Sequence, residues 1–188
     1  MDKIAVGPKV GSAVSLENSV KENLQIISEK LNKPIEEVKV IMLKRERNEK
    51  TADEIMECGS KIKYIDDGDV FGAISPIFED NDALFGIGAA PEGVLACGAL
   101  KPLGGYFEGK LKFRNENERK RAIDYGTDPD KLFRIDELVK GPDSLFVASG
   151  VTKGDYLNGV QLENSSYKVN SLLVDKDGKK TVTQMLKA

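Results

Sequence analysis

The sequence predicts an α/β domain built on a mixed, largely parallel sheet packed by helices. Two features predict it. Apolar runs that read as strands alternate with helical patterns three times between Val38 and Leu100, the order expected of parallel neighbours joined by crossovers. Beyond Lys101 the pattern changes to strand-like stretches that close on a hairpin signal around Asp175-Lys176-Asp177-Gly178. With 188 residues the chain is long enough for one domain with a core, since a chain of this size buries roughly 70% of its extended surface.

Taken in order, Ser15–Leu31 reads as a helix. Leu16, Val20, Leu24, Ile27 and Leu31 recur at three- and four-residue steps and share one face, with Ser15 as the cap and Pro34 just past the end. Val38–Leu43 is a continuous apolar run bounded by charge, read as a buried strand. Glu49–Cys58 is a helix stopped by Gly59. Ile62–Ile65 is a short strand, Val70–Phe78 a short helix, and Ala83–Gly88 a strand ending in glycines. Pro91–Leu100 opens another helix, with proline in its first turn. Tyr106–Phe113 alternates like a strand, Glu116–Tyr125 is helical, and Leu145–Ser149 reads as a buried strand. Tyr167–Val174 and Lys180–Leu186 form the terminal hairpin. Its acidic turn lacks the roughly twelve-residue span and distal glutamate of a calcium loop.

Composition narrows the chemistry. A net charge of −3 offers no basic field for nucleic acid. The apolar runs are far shorter than a membrane span. The amino terminus lacks the pattern of a signal peptide, so a cytoplasmic location is expected. Cys58 and Cys97 are far apart and make no zinc or redox motif, so both are expected to be buried free thiols. The sequence contains no histidine. That excludes Ser-His-Asp and Cys-His nucleophile activation and any histidine metal ligand.

Three clusters remain, each directly after a predicted strand, where open α/β sheets bind ligands. Lys44-Arg45-Glu46-Arg47 can grip a phosphate through charge-assisted hydrogen bonds, or is a solvated basic turn. Asp66-Asp67-Gly68-Asp69 can accept sugar hydroxyl protons or hold a metal, or Asp67 or Asp69 simply caps the next helix. Gly86-Ile87-Gly88-Ala89-Ala90-Pro91-Glu92-Gly93 lets a ligand approach the backbone at a helix amino terminus. There Glu92 is either a metal ligand or a complement to the helix dipole. This stretch half-matches a dinucleotide fingerprint, but Pro91 stands at the third glycine position. Together the clusters describe a sugar-phosphate cleft.

On these residues the sequence resembles class II fructose-1,6-bisphosphatase. Gly86–Gly93 is similar to that family's Gly-x-Gly-Gly-x-Pro-Glu-Gly, and Asp67-Gly68-Asp69 precedes it at the family's usual distance. Lys3-Ile4-Ala5-Val6-Gly7-Pro8 and Gly150-Val151-Thr152-Lys153-Gly154-Asp155 also match, so the resemblance spans nearly the whole chain. It implies the second half of a layered sugar-phosphatase fold. It further implies phosphate contacts from Arg45, Glu46 and Arg47, sugar contacts from Asp67, Gly68, Asp69 and Ala89, and a Mg²⁺ or Mn²⁺ ligand in Glu92. Glu46 replaces a family proline and Ala89 a substrate-contacting glycine.

The family's first half carries an Asp-Pro-Ile-Glu-Gly-Thr-type motif and several acidic metal ligands. Asp128-Pro129-Asp130 is the nearest string here and lacks the continuation. The resemblance therefore implies hydrolysis of fructose 1,6-bisphosphate to fructose 6-phosphate, performed by a substrate-binding half that needs a companion first-half chain. A non-catalytic sugar-phosphate-binding or assembly protein is the alternative, and a nucleotide-binding domain using the Gly86–Gly88 loop is a third. Residues 1–14 are expected to be a remnant strand of the missing half, with an unpaired edge at Lys3–Val6 that drives self-association into a homo-oligomer.

Overall fold

The computed structural model describes residues 1–78, 81–141 and 143–187. Among the described residues, strands and α-helices follow in chain order: β1 (Asp2–Val6), α1 (Val20–Leu31), β2 (Lys39–Leu43), α2 (Glu49–Glu57), β3 (Lys61–Ile65), α3 (Asp69–Ile74), β4 (Ala83–Ile87), α4 (Ala90–Leu100), β5 (Tyr106–Lys110), α5 (Glu116–Asp124), β6 (Leu132–Arg134), α6 (Ile135–Leu138), β7 (Phe146–Ser149), β8 (Gln161–Glu163), β9 (Ser166–Asp175) and β10 (Gly178–Lys187). They build a mixed sheet of six strands in the order β3-β2-β4-β1-β5-β6, and a second sheet in which β9 pairs with β10, β7 and β8. β2 runs parallel to both β3 and β4, the strand–helix alternation read from the sequence. β1, β5 and β6 continue the sheet in antiparallel fashion.

Period-two alternation decides which helices cover which face, because successive strand residues point to opposite sides. Ile4, Val6, Val40, Met42, Ala83 and Phe85 join Leu24 and Ile27 of α1 and Ile55 of α2 in one buried cluster. Their neighbours Ala5, Ile41 and Leu84 join Ala73 of α3 and Ala96 and Cys97 of α4 in another. The second sheet closes that core through Leu172 and Val174.

The expected open edge at Lys3–Val6 is overturned. β1 is paired on both sides, with Ile4 opposite Phe85 of β4 and opposite Glu108 of β5. Its core residues Ile4, Ala5 and Val6 are each no more than 1% exposed. Among the described residues the long strand with an unpaired side is β10, which pairs with β9 alone.

Three further expectations are corrected. The first helix starts at Val20, not at Ser15. Ser19 and Glu22 form a reciprocal capping box there, the Ser-x-x-Glu arrangement that satisfies two orphan backbone donors. Ser15 is engaged elsewhere, its hydroxyl donating to buried Glu108 at 2.8 Å. Leu145–Ser149 is not a buried strand: β7 lies at a sheet border, with Leu145 66% and Val147 56% exposed. The helix expected over Val70–Phe78 ends at Ile74 and gives way to a 3-10 turn over Ser75–Ile77. The terminal hairpin turns at Lys176-Asp177, with Asp175 opposite Gly178.

Candidate functional site

The parallel strands β2, β3 and β4 end at the same edge of the sheet, so the loops that leave them are neighbours. Side chains of the first loop tie the three together. Arg45 donates from Nη2 to the Asp66 carbonyl at 2.6 Å and from Nη1 to the Lys44 carbonyl at 2.8 Å. Arg47 donates from Nε to the Ile87 carbonyl at 2.8 Å. Asn48 accepts from the Ile87 amide at 2.7 Å and donates to the Leu43 carbonyl at 2.9 Å. Both arginines are exposed. A guanidinium carries five N–H donors, so these bonds orient each head group and leave donors for an anion.

The second loop is built on glycine. Gly68 has φ +86°, left-handed backbone that residues with a Cβ rarely adopt, and it is the N-cap residue of α3. Neither Asp67 nor Asp69 therefore caps that helix with its side chain. Asp67 is exposed and accepts its neighbour's amide, from Gly68, at 2.7 Å. Asp69 is buried instead, with Oδ2 2.6 Å from the Lys3 ammonium. The second and third clusters meet at this pair. A Cβ on Gly88 would stand 2.3 Å from Asp69 Oδ2 and 2.9 Å from Lys3 Nζ, so any side chain there has to displace the ion pair.

Ala89 is the exposed N-cap residue of α4, with φ −72° and ψ 146°. That is ordinary extended backbone, and its methyl group costs the chain no strain. Glu46 is exposed and opens the 3-10 turn that carries Arg47 and buried Asn48. Glu92 lies in the first turn of α4, and its Oε2 is buried with no hydrogen-bond partner among the described residues. An orphaned carboxylate oxygen suits a cation. However, no group of three His, Cys, Asp or Glu side chains that could hold a metal occurs among the described residues. These residues fit one ligand of a Mg²⁺ or Mn²⁺ shell and not the shell itself, since Mg²⁺ asks for near-octahedral oxygen coordination.

Arg45, Glu46, Arg47, Asp67, Gly68, Asp69, Ala89 and Glu92 thus all lie on loops or helix starts that follow the three parallel strands. Sequence reasoning missed Lys3 and Asn48 as parts of this region. Lys3 had a signal: it shares a strand face with core residue Ala5, and a lysine on an inward face needs a partner. Asn48 precedes a helix and resembles a cap, yet its side chain makes no capping bond and serves β4 instead.

Neither cysteine is part of a disulfide; Cys97 is buried as expected, which pushes its thiol up to about 12, whereas Cys58 is only half-buried, at the end of α2. No helix among the described residues is long and apolar enough to cross a membrane.

Comparison with known proteins gives a consistent result. The sequence model of the family described as "Bacterial fructose-1,6-bisphosphatase, glpX-encoded" matches residues 1–187. A protein of Thermosynechococcus vestitus named D-fructose 1,6-bisphosphatase class 2/sedoheptulose 1,7-bisphosphatase is 36% identical over 95% of this chain and 56% of its own length. One of the like-named proteins of Acaryochloris marina is 37% identical over the same shares. A like-named protein of Prochlorococcus marinus is 37% identical over 93% of this chain and 57% of its own. The chain spans a little over half the length of these relatives.

Proposed function

Because this chain belongs to the family of glpX-encoded bacterial fructose-1,6-bisphosphatases, we propose that it forms the substrate-binding face of a sugar-bisphosphate phosphatase. The reaction is hydrolysis of fructose 1,6-bisphosphate to fructose 6-phosphate and phosphate, a cytoplasmic step of carbohydrate metabolism. The observation that carries this reading is the joining of three strand-end loops by Arg45, Arg47 and Asn48. It sets two exposed guanidinium groups beside an acidic turn.

In this reading Arg45 and Arg47 bind phosphate through charge-assisted hydrogen bonds. Asp67 accepts hydrogen bonds from sugar hydroxyls. Asp69, fixed by Lys3, orients the same turn. Positioning of this kind accounts for much of phosphoryl-transfer catalysis. A divalent ion would neutralise charge on the phosphoryl group when bound, with Glu92 among its ligands. The remaining ligands come from a companion segment, because the described residues do not complete the shell. The same observation favours a second reading, a sugar-phosphate-binding protein without catalysis.

Phosphate release from fructose 1,6-bisphosphate with Mg²⁺ or Mn²⁺ tests the two readings. Little release is expected from this chain alone. Clear release is expected after co-expression with a segment carrying the family's acidic motifs. Robust metal-dependent turnover by the chain alone would remove the need for a companion, and a well-folded but silent pair would favour the binding protein.

A further inference from the structure

A cleft of about 460 Å³ adjoins the Asp67–Gly68 turn on the side of the second sheet. That size lies within the roughly 300–1,000 Å³ of small-molecule sites. Its floor is apolar, formed by Ile41, Ile65 and Phe71. Its far wall is the loop between β7 and β8, which contributes Thr152, Asp155 and Tyr156.

The wall is firmly built. The Tyr156 ring stacks on Phe71 with centroids 5.9 Å apart and planes at 14°, and meets Phe78 at 4.7 Å. Leu157 enters the main core, only 6% exposed. Gly150 donates its amide to Asn170 at 2.9 Å, and a Cβ there would stand 2.2 Å from the Asn158 carbonyl oxygen. Asp155 Oδ2 lies 2.6 Å from Lys63 Nζ, which ties the loop to β3.

The lining chemistry is selective. Neither lysine nor arginine lines the cleft, whereas the carboxylates of Asp67 and Asp155 do. The lining offers a phosphate no cationic donor, since the nearby Lys63 ammonium is already paired with Asp155. An uncharged hydroxylated chain needs none: its C–H faces rest on the apolar floor, and its hydroxyls donate to the carboxylates and to Thr152 Oγ1. We propose that this cleft takes the hydroxyl-bearing carbon chain of the sugar phosphate, with Thr152 and Asp155 as specificity-determining residues, while Arg45 and Arg47 keep the phosphate outside it. The proposal rests on the sugar-phosphate reading above. It assigns a role to the Gly150–Asp155 stretch, which the three strand-end loops leave without one.

Calorimetric titration of the purified chain with inorganic phosphate, fructose 6-phosphate and sedoheptulose 7-phosphate tests it, with the folded state of each variant checked by circular dichroism. Thr152→Val and Asp155→Asn are both changes at exposed positions. Each is expected to weaken both sugar phosphates by roughly fivefold and leave inorganic phosphate unchanged, the effect of one lost hydrogen bond. Lys63→Gln breaks the ion pair but keeps the Asp155 carboxylate, and is expected to weaken binding less than Asp155→Asn. Wild-type affinity for both sugar phosphates in Thr152→Val and Asp155→Asn would overturn the cleft assignment. If Arg47→Ala still weakens phosphate in that case, the strand-end site survives. Equal losses in Lys63→Gln and Asp155→Asn with Thr152→Val silent would make the loop a structural strut, which also overturns the proposal. If the wild-type chain binds none of the three probes, the sugar-phosphate reading fails and this inference fails with it.

Discussion

The Lys3 ammonium and the Asp69 carboxylate meet 2.6 Å apart beneath the strand-end loops, with 3% and 10% of their side chains exposed. Lys3 stands on a central strand and Asp69 at the first position of α3, so one contact joins the sheet to the acidic turn. Removing one partner of a buried pair leaves an uncompensated charge and costs about 3–5 kcal/mol. Lys3→Met should therefore destabilise the fold by about that amount in urea denaturation. Lys3→Met combined with Asp69→Asn should recover much of the loss, because no charge is then left buried. A double variant no more stable than Lys3→Met would show that packing, not charge, sets the cost.

Two adjacent small residues should respond in opposite ways. Gly88→Ala puts a methyl group into the space of Asp69 Oδ2 and Lys3 Nζ. A loss of about 1–3 kcal/mol is expected, the usual cost of overpacking. Ala89→Gly removes a methyl from an exposed N-cap residue. Glycine is preferred over alanine at that position, so stability should hold or rise slightly. Denaturation midpoints of the two variants check the contrast.

Arg47 and Glu92 should separate phosphate binding from metal binding. A charge-assisted hydrogen bond contributes about 1.5–3 kcal/mol, and about 1.4 kcal/mol is tenfold in affinity. Arg47→Ala should weaken sugar-phosphate binding about tenfold or more by calorimetry. Glu92→Gln should leave metal-free sugar-phosphate binding nearly unchanged and lower Mn²⁺ affinity in the reconstituted pair. The reverse ordering would remove Glu92 from the metal shell.

The Cys97 thiol gives a pH dependence with a definite sign. Its folded value is pushed from 9.0 up to about 12, first by burial, against a smaller opposing effect of the Lys3 charge. The unfolded chain therefore loses this proton first as pH rises. The thiol's contribution to stability is complete below about pH 9 and is lost progressively toward pH 12. By linkage the loss is about 2 kcal/mol at about pH 10.5. Urea midpoints at pH 8 and about pH 10.5 should show that drop in the wild type and a smaller one in Cys97→Ala. Because the thiolate is the reactive form, Cys97 should also resist alkylation at pH 8 until the protein unfolds.

How much of this was written in the sequence follows from what local patterns encode. Val38–Leu43 and Ala83–Gly88 read as strands because both faces of their run are apolar, and both are strands of the parallel set. The strand-end clusters were legible for the same reason, since charge and glycine interrupt each run at the sheet's edge. The cap of α1 was legible in principle as Ser19-Val20-Lys21-Glu22, but the apolar step at Leu16 drew the cap back to Ser15. Leu145–Ser149 misled because apolar residues in a border strand look like those in a covered one until the neighbours are known.

The sequence by itself determined the types of the longer elements and the three clusters, because periodicity and punctuation act within about ten residues, while the short β6, α6 and β8 were not legible in it. Only the tertiary structure decided that β1 lies inside the sheet between β4 and β5. It alone paired Lys3 with Asp69 across 66 residues of chain and set Tyr156 against Phe71. The physical reason is that a local pattern records whether a residue is covered but not by what. Which partner covers it is selected by packing and charge among segments that meet only once the chain has folded.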